Sequence, residues 1–136
     1  MTHQLDHYRL LGRSGLRVSP LSLGTMNFGL AASWGCEDAD AIFNRYVEAG
    51  GNFIDTANFY ANGESERVVG RLMAGRREQL CIATKYTLSM RPGDPNASGN
   101  QRKNMLQSVE NSLRRLQTNY IDLLYLHVWD QRTPVE

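Results

Sequence analysis

Between residues 21 and 127, four short apolar runs alternate with stretches whose apolar side chains recur at helical spacing, and this alternation most restricts the fold. The runs are 21–25, 52–55, 80–85 and 120–127. Residues 38–49 set Ile42, Phe43, Tyr46 and Val47 on one helical face, and 65–73 do the same with Val68, Val69, Leu72 and Met73. Along 101–116, Met105, Val109, Leu113 and Leu116 make the clearest amphipathic stripe in the chain. A repeating strand–loop–helix unit predicts parallel strands joined by helical crossovers. The pattern alone leaves open whether those strands close into a barrel or form an open, doubly wound sheet.

Around this frame the punctuation is specific. Runs 8–11 and 16–18 flank Gly12-Arg13-Ser14-Gly15, which predicts an N-terminal β-hairpin. Gly50-Gly51 supplies a left-handed end for the first helix, and Ser65 with Glu66 reads as the acidic start of the second. Pro92, Gly93, Pro95 and Gly99 make 86–99 a loop. The fourth strand run is apolar except for Asp122, as suits a strand covered on both faces. At Thr133-Pro134-Val135-Glu136 a capping Thr, a Pro at the first helical position and a Glu three residues after the Thr announce a further helix. The expectation is a single domain, residues 1–136, that stops partway through a larger fold.

Composition removes several classes of function. With 41% hydrophobic and 21% charged residues the chain is globular, and a formal charge of +1 gives no reason to expect nucleic acid. No apolar run approaches the ~20 residues of a membrane span. The N-terminal segment has no signal-peptide core, so the expected compartment is the cytoplasm. Two cysteines, Cys36 and Cys81, make neither a disulfide framework nor a metal motif, and Cys81 reads as a small buried hydrophobe.

In a parallel α/β fold the C-terminal strand ends form one rim, and chemistry gathers there. Asp55, Lys85 and His127 fall at such ends, and Tyr60 follows Asp55 by five residues. Each interval between the three holds one helix and its return strand, so all three reach the same rim on adjacent strands. Singly, each has an ordinary reading: a turn residue, a surface aromatic, a solvated strand end, a histidine under a loop. Together they suit one reaction. A lysine ammonium beside a phenol favours the phenolate, an aspartate holds the lysine charged, and a histidine can orient a substrate oxygen. The set therefore fits a tyrosine proton donor facing a carbonyl oxygen, which requires a hydride from outside the chain. No activated serine or cysteine supports hydrolysis, and one histidine with one carboxylate is too few ligands for a metal. No glycine-rich dinucleotide or Walker loop is present.

The strings YRLLGRSGLRVSPLSLGTMNFG, GNFIDTANFYANGESERVVGRLM, ATKYTLSMRPGDPN and SLRRLQTNYIDLLYLH resemble segments of aldo-keto reductases, over essentially the whole chain. The combination of D-T-A-x-x-Y, G-E-S-E, a strand-ending lysine and Y-I-D-L-x-x-x-H carries the resemblance. It implies an α/β (β/α)8 TIM barrel, here truncated to about four β/α units behind the hairpin, since such a barrel takes about 250 residues. It implies NADPH-dependent reduction of an aldehyde or ketone, an oxidoreductase in which Tyr60 is the general acid, Lys85 lowers its pKa, Asp55 supports Lys85 and His127 orients the carbonyl. Gly24, Thr25 and Met26, with Asp55, would bind the nicotinamide side of NADPH/NADP, and Trp34, Phe59 and Trp129 would line the pocket for a small carbonyl substrate. The family's grip on the cofactor phosphates lies in later loops. Alternatives on the same fold are a non-catalytic binding or regulatory subunit and a non-functional fragment. An open half-barrel leaves unpaired edges, so self-association is expected, with Ile54, Ile82, Leu124 and Leu126 among the strand residues it could expose.

Overall fold

The computed structural model describes residues 4–30, 35–36 and 38–134. Arg9–Leu10 (β1) pairs antiparallel with Arg17–Val18 (β2), making the expected hairpin. Four strands then form a wholly parallel sheet: Leu23–Gly24 (β3), Phe53–Asp55 (β4), Cys81–Tyr86 (β5) and Leu123–Leu126 (β6). Their order in space is β3-β4-β5-β6, the order of the chain. Three helices connect them, Ala39–Glu48 (α1), Glu64–Leu72 (α2) and Arg102–Leu116 (α3). Among the described residues no helix is long and apolar enough to cross a membrane.

The core decides between the two architectures that the sequence leaves open. Phe43 of α1, Val69 and Leu72 of α2 and Leu116 of α3 share one apolar cluster with Ile54 of β4 and Ile82 of β5. Every helix thus covers the same face of the sheet. Sequential order with helices on one face only is a segment of barrel wall, since a doubly wound sheet reverses its order and carries helices on both faces. Register puts Leu23, Ile54 and Ile82 on the helix side, and Gly24, Asp55, Ala83, Lys85 and Tyr125 on the other.

The helix boundaries follow local chemistry. Asp38 caps α1 by accepting from the Ala41 amide, and Gly50 takes the left-handed conformation expected after it (φ 90°). Gln101 caps α3, its side chain accepting from the Asn104 amide. Gly70 of α2 is required by contact: a Cβ there would lie 2.8 Å from the Arg115 and Leu116 backbone of α3. Residues 87–100 form no regular element, as their breakers predict.

Several expectations need correction. The buried face of α3 is Asn104, Ser108, Ser112 and Leu116, whereas Met105, Val109 and Leu113 are only half-buried. Small side chains let α3 approach α2 closely, and this rotates the longer apolar stripe away from the shared core. Ile54 and Ile82 are fully buried, because register gives them to the helix side. β6 is not covered on both faces: as the last strand of the sheet it leaves Leu124, Tyr125 and Leu126 exposed. Cys81 is buried as expected, and its thiol is pushed up to about 11 by burial and then by the nearby Asp122 carboxylate. Just before the expected helix start at residue 133, Asp130 Oδ1 accepts from the Arg132 and Thr133 amides at 2.9 Å each. Val135 and Glu136 lie outside the described residues.

Candidate active site

Backbone pairing continues past the strands and delivers the rim residues to one place. The Thr25 amide donates to the Asp55 carbonyl (3.0 Å), Thr56 to Ala83 (2.9 Å), Asn58 to Lys85 (3.1 Å) and His127 to Tyr86 (2.8 Å). Asp55 ends β4, Lys85 is the penultimate residue of β5, and His127 directly follows β6. Tyr60 opens a 3-10 turn, Tyr60–Gly63, in which Ala61 (φ 49°), Asn62 (φ 53°) and Gly63 (φ 89°) are all left-handed. Three such residues in succession swing the chain from the rim into the first turn of α2.

Lys85 is the hub. Its Nζ donates to Asp55 Oδ2 at 2.7 Å, to the Thr56 carbonyl at 2.9 Å and to Tyr60 Oη at 3.0 Å. An ammonium has three protons, and all three are used. Tyr60 therefore receives a proton from Lys85 at one lone pair, and its own O–H is free to donate outward. The Lys85 ammonium also lies 4.7 Å from the Tyr60 ring centroid. His127 meets Tyr60 edge to face, with centroids 5.7 Å apart and planes at 88°. Burial, and then the Lys85 charge, hold the His127 imidazole below its ordinary value, with Asp55 opposing. Its Nδ1 is buried without a partner. An N–H at Nδ1 would have no acceptor, which favours the neutral tautomer with its proton on Nε2.

The four residues that the sequence nominates as catalytic are therefore brought together. The others are more scattered. Gly24 is exposed beside Asp55, with no atom within 4 Å of where a Cβ would stand, so space is open above the end of β3. Thr25 is fully buried and its side chain turns inward; Met26 is exposed. Phe59 and Trp129 are exposed at 48% and 65%. Trp34 lies outside the described residues.

Sequence reasoning misses a second layer beneath this rim. Glu66, with no exposed side-chain surface, accepts from Thr84 Oγ1 and from Arg115 Nε, both at 2.6 Å, which fastens α2 to β5 and α3. Ser65, read as part of a helix start, makes no cap; its hydroxyl sits among Thr25 and Thr56 in the interior. The only sequence signal for either was a polar residue on the otherwise apolar face of α2.

The chain has counterparts among known proteins. The model of the family described as Aldo/keto reductase family matches residues 20–136. The chain belongs to the aldo/keto reductase family. Over 97% of its length it is 48% identical to the norsolorinic acid reductase stcV of Emericella nidulans, and over 96% it is 43% identical to an aryl-alcohol dehydrogenase of Pestalotiopsis microspora. It spans only 38% and 37% of those relatives. Among solved structures, an aldo-keto reductase from Bacillus halodurans in its holo form superposes with a TM-score of 0.75 at 37% identity, over 88% of this chain and 39% of that one. The fold is thus that of the aldo-keto reductase TIM barrel, represented by four of its parallel strands and the three helices between them. The family is one of oxidoreductases acting on small carbonyl compounds.

Proposed function

We propose that this aldo-keto reductase chain carries the proton-transfer machinery of an NADPH-dependent reduction of an aldehyde or ketone to an alcohol, with Tyr60 as general acid. The observation that carries the reading is the saturated Lys85 ammonium, fixed by Asp55 and the Thr56 carbonyl while donating to Tyr60 Oη. So held, Tyr60 presents its O–H towards a carbonyl oxygen, and the cation beside it stabilises the phenolate left after transfer. A neutral His127 with its proton on Nε2 donates to the same oxygen and orients it.

The residues present are compatible with the nicotinamide end of NADPH: space is open beside Gly24, next to Asp55, and Thr25, its side chain buried, has only its backbone to offer there. Gly24, Thr25, Met26 and Asp55 would hold that end. When bound, NADPH supplies the hydride. Phe59 and Trp129 offer exposed aromatic faces for an aryl substrate, in keeping with the name of the aryl-alcohol dehydrogenase relative; Trp34 is assigned to the same pocket. The reaction is assigned to the cytoplasm. The exposed β6 flank is assigned to self-association of the 136-residue chain.

The chain spans 37–38% of the relatives named above, so its own grip on NADPH is weak by this reading, and activity belongs to a complete barrel. The test is a chimera joining residues 1–136 to the remaining barrel of the Emericella nidulans relative, assayed with NADPH and an aryl aldehyde. Tyr60→Phe should nearly abolish turnover and leave NADPH binding little changed. Full activity in that variant refutes the assignment, and an inactive parent chimera that still binds NADPH favours a non-catalytic binding role.

A further inference from the structure

Ser65 lies in the first turn of α2 with no exposed surface, and its hydroxyl does nothing for that helix. Its Oγ donates to the Thr25 carbonyl at 2.7 Å. It also lies 2.9 Å from Thr25 Oγ1 and 3.0 Å from Thr56 Oγ1. Since its own proton goes to the Thr25 carbonyl, it accepts from Thr56 Oγ1, and the Thr25 hydroxyl proton is shared between Ser65 and the Asp55 carbonyl 3.1 Å away. Thr25 and Thr56 are fully buried as well. One hydroxyl on α2 thereby ties the residue after β3 to the residue after β4.

The second of those residues matters because its carbonyl is one of the three acceptors of Lys85. Thr25 grips the backbone of Asp55, the residue that supplies another. We infer that Ser65 is a positioning residue: through Thr25 and Thr56 it fixes the ledge of acceptors that aims the Lys85 ammonium at Tyr60. This rests on the reading of Lys85 and Tyr60 as the proton-donating pair. Removing the hydroxyl leaves the buried Thr56 hydroxyl without its acceptor and leaves the Thr25 carbonyl only the Phe28 amide, and the Thr56 hydroxyl regains a partner only if the ledge moves.

The sequence makes a direct test possible, because Lys85 and Lys103 are its only lysines and Lys103 is exposed. In the 136-residue chain labelled with 15N at lysine Nζ, proton–nitrogen spectra should show a slowly exchanging Lys85 ammonium and a rapidly exchanging Lys103. Ser65→Ala should speed Lys85 exchange several-fold, up to about tenfold, as one supporting hydrogen bond is lost. The isosteric Thr56→Val cuts the same link from the other side and should act in the same direction if Ser65→Ala does not fold. Ser112→Ala removes another buried hydroxyl, on α3, and should leave Lys85 exchange unchanged even if the chain is equally destabilised. Asp55→Asn separates the two levels of the argument. If it speeds exchange while Ser65→Ala and Thr56→Val do not, the role of Ser65 is overturned and the pair stands. If Lys85 shows no protection in the unaltered chain, both fall.

Discussion

Arg115 of α3 reaches 2.6 Å from the carboxylate of Glu66 on α2, and Glu66 has no side-chain surface in contact with solvent. Such a pair contributes little over an apolar one of equal volume, but losing one member strands a buried charge. Arg115→Met should therefore destabilise the chain by about 3–5 kcal/mol, and adding Glu66→Met should recover much of that. Urea midpoints of the three proteins decide it. A single variant as stable as the unaltered chain would mean that water reaches Glu66.

Ala61 stands at φ 49° and ψ 36°, a left-handed conformation that an L-residue with a Cβ adopts at a cost of about 1–2 kcal/mol. Glycine removes that cost while adding freedom to the unfolded chain, worth about 0.4–1 kcal/mol in the other direction. Ala61→Gly should be neutral to stabilising by up to about 1 kcal/mol, against the usual direction of such a change. A clear loss of stability would show that the Ala61 methyl packs usefully.

His127 is held below the ordinary histidine value of 6.5 by burial and then by Lys85. Between its depressed value and 6.5 the unfolded chain binds the proton more readily than the folded one. The contribution of His127 to stability is therefore complete above 6.5 and is lost as the pH falls through that window. Imidazole NMR titration should place the His127 midpoint below 6.5, with Lys85→Met raising it and Asp55→Asn lowering it further. In urea unfolding at pH 5 and 7.5, His127→Gln should flatten the dependence.

Leu124 and Leu126 are exposed on a strand that has no neighbour beyond it among the described residues. Unpaired edges and apolar patches recruit other chains. Sedimentation across a concentration series should show association of the 136-residue chain, reduced by Leu124→Lys with Leu126→Lys. A stable monomer at every concentration would contradict it.

The parallel unit, the hairpin and the four rim residues are legible because each rests on a local pattern: apolar spacing, glycine placement, or a polar residue closing an apolar run. What escaped depends on partners distant in the chain. Met105, Val109 and Leu113 have ideal amphipathic spacing, yet the close contact at Gly70 turns Ser108 and Ser112 inward instead. Ser65 and Glu66 look like a helix start, and only the proximity of Thr25, Thr56, Thr84 and Arg115 makes them interior. The difference between Ile54 and Leu124, both on the helix side of the sheet, is the strand each occupies, which no single run of residues records.

The sequential strand order also bears on how the chain comes together during synthesis. Within the parallel sheet each strand after β3 pairs with the one made just before it, so no segment has to be threaded between others. The rim residues are then laid down in chain order. Asp55 precedes Lys85 and Lys85 precedes His127, so each rim residue lies on or beside a strand whose pairing partner has already been synthesised.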